Sequence, residues 1–428
     1  MKTQYSLLID VGGTDIKVGV VADGLSNLVC VERYPTPSFL PTKIGRKEIS
    51  PADLLLRCKM AISIAERSFG SFTSVALSGQ MGCWVLTDYQ NNPLTNIISW
   101  QDKRVEETIP QRNSILELAD EIYTENGLRL SGNEVRSGLP IFGVYQHFQN
   151  NKVDGKVRFH SLISWLSSQL VTEYPFLVHE TDFASSGMYN LKTKKILNNV
   201  EELFNGKIVF PEVTDKYLTL EGSKVLQPEF FIGVGDQQAS LYGSLLSNKT
   251  IIINIGTGGQ VANLQLNTAV DSNAQVRPFF NGELIETRTH LPAGRALTAY
   301  AKALLANTSG KLNYELFFNL GVCDFKTVRS RDIVNFEVDV SRLSKSMTKQ
   351  EKQILIEEVV YGYLRSYRDA ISNLSYKDCT TLTFAGGVGQ KFLSLHRHLG
   401  KELKMNTEIA NTNESTLQGL AFLLTRDK

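Results

Sequence analysis

The sequence predicts an α/β protein built from two domains of like topology. At 428 residues the chain is longer than one ordinary hydrophobic core can serve. Two stretches half a chain apart share one design, in which an apolar strand runs into a glycine-rich tip and resumes as a second strand: residues 7–21 (LLIDVGGTDIKVGVV) and 251–262 (IIINIGTGGQVA). We therefore expect one domain over residues 1–246 and another over residues 247–428, with a cleft between them.

The composition favours small molecules as partners. Lysine and arginine (45) nearly balance aspartate and glutamate (44), so the net charge favours neither nucleic acid nor an anionic membrane. The five cysteines are scattered without the spacing of a metal site, and their odd number argues against a disulfide framework. The N-terminal apolar run is too short for a signal peptide, and no stretch has the length of a membrane span. We expect a cytoplasmic protein, with monomer and homodimer both open.

The tip of the first hairpin has the groups that bind a metal-bound phosphate. Gly12 and Gly13 allow backbone N–H groups to approach an anion, and Thr14 adds a hydroxyl. Asp10 ends the first strand with a carboxylate that can hold a cation through water. Because residues 16–21 lack helical spacing, the loop is neither a P-loop nor a Rossmann turn. An ordinary structural turn is the alternative interpretation.

A candidate substrate wall follows the next predicted strand. Residues 50–53 (SPAD) have the serine, proline and aspartate of a capped helix start, and residues 74–78 (SVALS) form a short buried strand. The strand ends in a turn that contains Gln80, Met81 and Gly82. Ligands of α/β proteins collect beyond the carboxyl ends of strands, so this turn is a candidate contact for a substrate.

A second candidate contact lies in the stretch WQDKR. Trp100 offers a ring face for C–H groups, while Asp102 and Arg104 offer charged partners for hydroxyls, a combination that suits a polyol. A surface ion pair beside a half-buried tryptophan is the alternative. Further along, residues 181–187 (TDFASSG) are rich in turn-forming side chains and are interpreted as a loop.

Asp236 is the strongest candidate for a catalytic group. It follows a strand that ends at glycines and precedes an apparent helix over residues 238–246. A carboxylate at such a corner points into a cleft and can act as a general base towards a hydroxyl. The alternative is a purely structural aspartate at the N-cap of that helix.

The second hairpin repeats the first with one informative difference. Gly256, Thr257 and Gly258 form its tip, but Asn254 stands where Asp10 stands in the first copy. Only the first hairpin therefore offers a charged ligand for a cation.

The remaining elements of the second half place one more glycine loop at the end of a strand. Residues 348–351 (TKQE) form a capping box before a long helix. The strand over residues 381–385 ends in Gly386 and Gly387, followed by a helical pattern over residues 390–399. A loop of this kind lets a flat base lie against the backbone.

Taken in order, these motifs resemble the FGGY family of carbohydrate kinases. The resemblance rests on the stretches IDVGGTDIK, LSGQM, WQDKR, TDFASSG, GVGDQQA, NIGTGGQV, FAGGVG and ESTLQGLA. It implies two ribonuclease-H-like domains, of the actin-like ATPase superfamily, that close over a sugar and Mg-ATP.

The resemblance also implies roles for individual residues. Asp236 would be the catalytic base, and Asp10 would lie beside the magnesium ion. The ATP-binding residues would be Gly12, Gly13, Thr14, Lys17, Gly256, Thr257, Gly258, Gly386 and Gly387. The sugar would be bound by Gln80, Met81, Trp100, Asp102, Arg104 and Asp236.

Departures from the family pattern bear on the substrate. Gly82 stands where members often have histidine, and the arginine that the glycerol-specific pattern has beside Met81 is absent. The motifs are most similar to those of sedoheptulose-phosphorylating members. The expected reaction is therefore ATP-dependent phosphorylation of a ketose hydroxyl, with sedoheptulose first and xylulose, another pentulose or a polyol as alternatives.

Two readings from other classes compete with a sugar kinase. An actin-like nucleotide switch has no need of a sugar wall such as Trp100 to Arg104 or of a base such as Asp236. A sugar-binding regulator would need a zinc-type cysteine cluster or a DNA-binding head, and neither is visible in the sequence.

Overall fold

The first hairpin has the form that the sequence predicts. The structure, a computed structural model, describes residues 3–107, 115–123, 126–220, 228–256, 258–265, 274–304, 313–320, 347–411 and 414–425. Tyr5–Val11 (β1) pairs antiparallel with Asp15–Ala22 (β2), so that Asp10 lies opposite Lys17. The N–H of Gly12 donates to the carbonyl oxygen of Asp15 at 3.0 Å and closes the tip.

The other strands of the described residues form several sheets. Those before residue 236 are Leu28–Pro35 (β3), Glu48–Ile49 (β4), Ser74–Gly79 (β5), Trp84–Thr87 (β6), Ile97–Ile98 (β7), Val157–Ser161 (β8), Leu177–His179 (β9), Tyr189–Asn190 (β10), Lys195–Ile196 (β11), Ile208–Val209 (β12), Glu212–Thr214 (β13), Thr219–Leu220 (β14), Glu229–Phe231 (β15) and Val234–Gly235 (β16). Those after it are Thr250–Ile255 (β17), Gly259–Gln265 (β18), Gln275–Pro278 (β19), Leu284–Leu291 (β20), Thr381–Ala385 (β21) and Asn406–Ile409 (β22).

The α-helices of the described residues range from a single turn to 24 residues. They are Pro51–Phe69 (α1), Ile115–Ile122 (α2), Gly127–Leu130 (α3), Pro140–Asn150 (α4), Leu162–Leu170 (α5), Glu180–Phe183 (α6), Val200–Leu203 (α7), Asp236–Gly243 (α8), Gly294–Leu304 (α9), Glu315–Phe318 (α10), Lys349–Ser372 (α11), Leu393–Leu403 (α12) and Ser415–Thr425 (α13). None of the helices in the described part of the chain has the length and hydropathy of a membrane-spanning segment.

The two predicted hairpins belong to sheets of matching topology. In the first sheet, β3, β2 and β1 are antiparallel neighbours, and β5 and β15 continue from β1 as parallel strands. In the second sheet, β20, β18 and β17 are antiparallel neighbours, and β21 and β22 continue from β17 as parallel strands. The repeat that the sequence indicates is therefore a repeat of fold, and it confirms two ribonuclease-H-like units.

The strands of a third sheet alternate along the chain with strands of the first sheet. It has the strand order β12-β8-β6-β7-β4 and packs with α2, α3, α4, α6 and α7 around a core that includes Trp84 and Phe142. The stretch WQDKR belongs to this part of the chain, and Ser99 separates it from the end of β7.

Helices α8 and α13 cross with their backbones in close contact. A β-carbon at Gly419 would lie 1.9 Å from the carbonyl oxygen of Ala239, and one at Gly243 would lie 1.9 Å from that of Ser415. Apolar side chains of both helices share a core with Leu8 of β1. The last described helix therefore packs on the first sheet and holds the helix that begins at Asp236.

Two caps agree with the sequence. The Ser50 hydroxyl accepts a hydrogen bond from the Asp53 N–H at 3.2 Å at the start of α1. Thr348 and Glu351 form a complete capping box at the start of α11.

Two local predictions are wrong. Residues 181–187, interpreted as a loop, belong to α6 and a 3-10 turn over residues 184–186, because the His179 ring accepts the Thr181 N–H and caps this short helix. The helix predicted over residues 390–399 begins only at Leu393, after a 3-10 turn, because the N–H of Val388 donates to the Ile255 carbonyl and ties the glycine loop to the second hairpin.

Candidate active site

The carboxylates of Asp10 and Asp236 lie at the same edge of the first sheet. Asp10 of β1 pairs with Ser78 of β5, and Ser78 pairs on its other side with Val234 of β16. Neighbouring strands lie about 4.8 Å apart, so β1 and β16 are separated by about 10 Å. All three strands are parallel and end at the same edge, where Asp236 follows β16. Gly235 occupies the N-cap of α8 and Asp236 is its first residue, so the alternative interpretation of Asp236 as the N-cap is wrong.

The half-buried Asp236 carboxylate is held by backbone groups and has a shifted pKa. The N–H of Gln237 donates to its Oδ1 at 2.9 Å, and the backbone of Met81 forms a further hydrogen bond. Burial, followed by the negative charge of Asp10 and with a smaller effect of Asp182, raises the pKa of Asp236 to about 7. A carboxylate with a pKa near neutrality is suited to accept a proton and release it again.

Asp10 is buried and lies in a chain of charged groups. Its Oδ1 accepts from the Ser78 hydroxyl at 3.1 Å, and its Oδ2 is 3.7 Å from Nζ of Lys17. Lys17 is also 3.4 Å from the carboxylate of Glu414, which pairs with Arg33. Burial raises the pKa of Asp10, and the charge of Lys17 lowers it in part. Lys17, predicted to bind ATP, therefore lies beside the predicted magnesium ligand.

The donor set at this edge fits a magnesium ion that is shared with phosphate. Among the described residues, no group of three or more His, Cys, Asp or Glu side chains forms a protein metal cage. Magnesium bound to a nucleotide needs only one or two carboxylates, because phosphate and water supply the other ligands. Asp10 and Asp236 offer that number of carboxylates at one sheet edge.

The tip of the first hairpin has an exposed centre, and hydrogen bonds to Gly12 hold its first residue. Gly13 and Thr14 are exposed. The Thr36 hydroxyl and the Gln80 side-chain amide both donate to the carbonyl oxygen of Gly12, at 2.8 and 3.1 Å. Gln80, predicted to contact the sugar, therefore supports the predicted phosphate loop.

The second hairpin has a similarly open tip. The N–H of Gly256 donates to the carbonyl oxygen of Gly258 at 2.9 Å, and β-carbons at these two positions would have no neighbour within 4 Å among the described residues. Thr257, predicted to bind ATP, lies outside the described residues. Asn254 pairs with Gln260, as Asp10 pairs with Lys17, so both charges of the first pair are replaced by amides in the second.

The glycine loop after β21 lies against this second tip. Gly386 has a φ of +78°, and a β-carbon there would lie 2.5 Å from Oδ1 of Asn254 and 2.6 Å from the carbonyl oxygen of Ile255. Glycine is therefore required at this position for the loop to approach the hairpin. Gly387 is exposed, and a β-carbon there would meet nothing within 4 Å in the described structure.

Met81 and Trp100 lie on the predicted sugar side. Met81 is buried, and its Sδ would be 2.8 Å from a β-carbon at Gly235, the residue before Asp236. The ring of Trp100 is half-buried and lies 5.8 Å, centroid to centroid, from the ring of His290. His290 belongs to β20, so this contact joins the two halves of the chain.

Asp102 and Arg104 make most of their contacts with each other and with neighbouring protein groups. Nε of Arg104 donates to Asp102 at 2.8 Å, and its Nη2 donates to Glu48, also at 2.8 Å. The second oxygen of Asp102 accepts the Lys47 N–H at 2.7 Å. Both residues are buried, and their predicted contact with a sugar stays a prediction.

A polar network beside Trp100 was not predicted from the sequence. The Glu134 carboxylate accepts from Arg136 and from Arg277, each at 2.7 Å. Nη1 of Arg277 donates to the Gln237 side chain at 2.5 Å, next to Asp236. No local sequence pattern predicts this network, because Glu134 and Arg277 are 143 residues apart in the chain.

The stretch TDFASSG supports the loop that carries Asp236. The Thr181 hydroxyl accepts the N–H of Gly235 at 3.2 Å. Asp182 is buried, and burial raises its pKa to about 7 against the effect of the hydrogen bond from Ser161. This short helix therefore fixes the strand end from which Asp236 projects.

The fold and this edge define a class of protein. Two ribonuclease-H-like domains with glycine-tipped hairpins are the architecture of the actin-like ATPase superfamily. Solved structures agree: xylulose kinase from Lactobacillus acidophilus superposes with a TM-score of 0.81 at 16% identity, covering 99% of this chain and 89% of that one. At this identity the likeness concerns the fold alone.

Sequence comparison identifies the family within that class. Residues 5–216 match the N-terminal domain of the FGGY family of carbohydrate kinases, which places this part of the chain in that family. It is 25% identical over 347 residues to xylulose kinase from Staphylococcus epidermidis, covering 72% of this chain and 63% of that protein. It is 22% identical over 274 residues to glycerol kinase from Mycoplasma mycoides, covering 60% and 53%. The chain thus spans about half to two thirds of the length of these relatives.

Proposed function

We propose that the protein transfers the terminal phosphoryl group of ATP to a hydroxyl of a ketose sugar. The observation that carries this proposal is the position of Asp236, a carboxylate with a pKa of about 7 at the sheet edge that also presents Asp10. An actin-like nucleotide switch would need the two hairpins. It would not need a carboxylate with a raised pKa, such as Asp236, or the polar residues from Trp100 to Arg104.

Asp236 would act on the sugar hydroxyl, which is a poor nucleophile. Its carboxylate orients the hydroxyl and accepts the proton as the bond to phosphorus forms. A positioned general base of this kind contributes about a hundred- to ten-thousand-fold in rate. The backbone contacts from Gln237 and Met81 keep the carboxylate in place while it does so.

The two hairpin tips would hold the nucleotide phosphates. The exposed Gly13 and Thr14 on one side and the exposed Gly258 on the other would offer backbone N–H groups and a hydroxyl. Gly256, whose N–H donates to the Gly258 carbonyl oxygen, would shape the second tip. The exposed Gly387 would border the adenosine. Magnesium, held by Asp10 and the phosphates, would neutralise charge on the transferring group. Closure of the two domains would keep water from competing with the sugar.

The ketose class rests on the sequence resemblance and on the relatives. The similarity to xylulose kinases makes a pentulose the first substrate to test. Sedoheptulose, which the motifs suggest, is the second, and the comparisons add nothing specific in its favour. The glycerol kinases among the relatives make polyols the necessary comparison.

A panel of ketoses and polyols tests the proposal. We expect ADP release that depends on the sugar, with one ketose preferred, and a phosphorylated sugar detected by mass spectrometry. Asp236→Ala should abolish turnover while nucleotide binding stays measurable by calorimetry. Asp154→Ala, at a side chain that is 81% exposed, is the control and should behave like the wild type. Absence of sugar-stimulated turnover with every compound, or near-normal activity of Asp236→Ala, would contradict the proposal.

A further inference from the structure

Because residue 82 is glycine, the side chain of Arg136 can occupy the space beside it. A β-carbon at Gly82 would lie 2.7 Å from Nη2 of Arg136 and 3.3 Å from Cβ of Trp100. Gly82 also has a φ of +76°, which few side chains tolerate. The guanidinium of Arg136 therefore stands where a side chain following Met81 would begin.

Arg136 is held firmly by two of its nitrogen atoms. Its Nε donates to Glu134 at 2.7 Å, and its Nη1 donates to the carbonyl oxygen of Trp100 at 2.9 Å. Within the described residues Nη2 has no hydrogen-bond acceptor. Because the guanidinium is planar and two of its donors are fixed, the direction of the Nη2 donors is fixed as well. Only 17% of the side chain is exposed, so the guanidinium is mostly enclosed by protein while this donor stays available to a ligand.

The charges around Arg136 leave a positive surplus. One carboxylate, Glu134, faces two guanidinium groups, those of Arg136 and Arg277. Although burial raises the pKa of Glu134, these two groups lower it to about 2, so it is ionised. Burial and the charge of Arg136 lower the pKa of His290 to about 4, so this ring is neutral at pH 7 and adds no charge. The surplus favours a ligand oxygen that is negative or strongly polar.

The free donor lies on the same wall as the catalytic carboxylate. Gly82, which faces Nη2, follows Met81, whose backbone bonds to Asp236. The Trp100 carbonyl that holds Arg136 belongs to the residue predicted to cover the sugar. A sugar whose hydroxyl is at Asp236 would therefore reach Arg136 with a neighbouring part of its carbon chain.

We propose that Arg136 determines substrate specificity by donating to an acceptor-only oxygen of the sugar, either the ketone oxygen of an open-chain ketose or the carboxylate of a sugar acid. A hydroxyl in that place must also direct its own proton, whereas a carbonyl or carboxylate oxygen only accepts. This inference rests on the proposed function, since it assumes that a sugar lies at Asp236.

Conservative replacement of Arg136 tests the inference. Arg136→Lys keeps the charge beside Glu134 but lacks the planar set of donors. We expect its affinity for a ketose, or for the sugar acid of equal length, to fall about 10- to 100-fold, the range for loss of a hydrogen bond to a charged group, with the loss in KM rather than kcat. Affinity for the polyol of equal length should change little. Measuring the ketose and the sugar acid separately shows whether Arg136 binds a ketone oxygen or a carboxylate. Arg368→Lys, on the exposed surface of α11, is the control.

A double-mutant cycle provides an independent test. Gly82→Ala should displace the Arg136 guanidinium and cause a similar loss of affinity for the ketose. In an Arg136→Ala background the same change at position 82 should have no further effect on affinity, although backbone strain would still lower the melting temperature. Additive effects on affinity would overturn the inference.

Calorimetric binding without ATP separates this inference from the proposed function. Sugar binding that depends on Arg136 without any turnover would support the inference and contradict the kinase activity. Turnover with equal losses for ketose and polyol in Arg136→Lys, or with no loss, would overturn the inference and leave the activity intact. No binding of any sugar would overturn both.

Discussion

Replacing Asp236 by asparagine should abolish turnover and yet stabilise the folded protein above neutral pH. Asparagine keeps the shape and an oxygen that can accept the Gln237 N–H, which donates to Asp236 at 2.9 Å, but it carries no charge. Burial and the charge of Asp10 raise the pKa of Asp236 from 3.8 to about 7. The folded protein therefore disfavours a carboxylate that the unfolded chain accommodates freely.

The magnitude follows from the two pKa values and varies with pH. Below pH 4 both states are protonated and the carboxyl group has no effect on the free energy of unfolding. Between pH 4 and pH 7 the folded protein must take up a proton, and the destabilisation grows by about 1.4 kcal/mol per pH unit. It reaches about 4 kcal/mol above pH 7 and is about 2 kcal/mol at pH 5. Since the carboxylate is only half-buried, screening by water reduces both figures.

Urea unfolding of the wild type and of Asp236→Asn at pH 5 and pH 8 measures the effect. We expect the variant to gain about 2 to 4 kcal/mol over the wild type at pH 8 and clearly less at pH 5. Asp154→Asn, in an exposed loop, should show no gain at either pH. An equal gain at both pH values, or a variant that is less stable at pH 8, would refute the argument that Asp236 is held as a costly carboxylate.

Three further predictions concern the same edge of the sheet. Because Asp236 must be ionised to accept a proton, kcat/KM should fall about tenfold per pH unit below pH 7, and a pH–rate profile that is flat from pH 5 to 8 would contradict this. Gly419→Ala should cost about 1–3 kcal/mol and lower kcat, since its β-carbon would lie 1.9 Å from the Ala239 carbonyl oxygen. Thermal unfolding checks it, and a variant as stable as the wild type would contradict the close contact of the two helices. Asp10→Asn should raise the magnesium concentration for half-maximal turnover about tenfold or more, and a magnesium titration with an unchanged midpoint would count against that role.

The hairpins and the strand that leads to Asp236 were predictable because their signals are local. A Gly-Gly turn between apolar strands favours a hairpin, and the pairing of Asp10 with Lys17 follows from the position of the turn. The second hairpin, which contains Asn254, made the overall fold predictable as well, because two copies of one motif imply two sheets of the same topology.

The surroundings of Asp236 could not be read in the same way. Glu134 and Arg136 meet Arg277 only after the two halves of the chain have folded together, and no spacing rule connects residues 143 positions apart. The motif WQDKR shows the opposite difficulty. Its Asp102 and Arg104 are two opposite charges two residues apart, and the structure shows that they bind each other, a contact that the sequence motif does not distinguish from contact with a sugar.

The two wrong local predictions, a loop over residues 181–187 and a helix that begins at residue 390, have a related cause. Serine, threonine and glycine are typical of turns in isolation, but tertiary contacts decide what they form. The ring of His179 provides a cap that turns residues 180–183 into a helix, and a hydrogen bond to Ile255 delays the start of α12. Neither contact is visible in a window of a few residues.

The contact between α8 and α13 has a consequence for folding during synthesis, because α8 begins at Asp236 and α13 is made last among the described helices. A chain still on the ribosome that has been made as far as residue 411 already contains both sheets but lacks the helix that covers Leu8 of β1 and holds the helix of Asp236. Its apolar surface is left uncovered and suited to chaperones. The helix that begins at Asp236 therefore gains its packing partner only when residues 415–425 have been made.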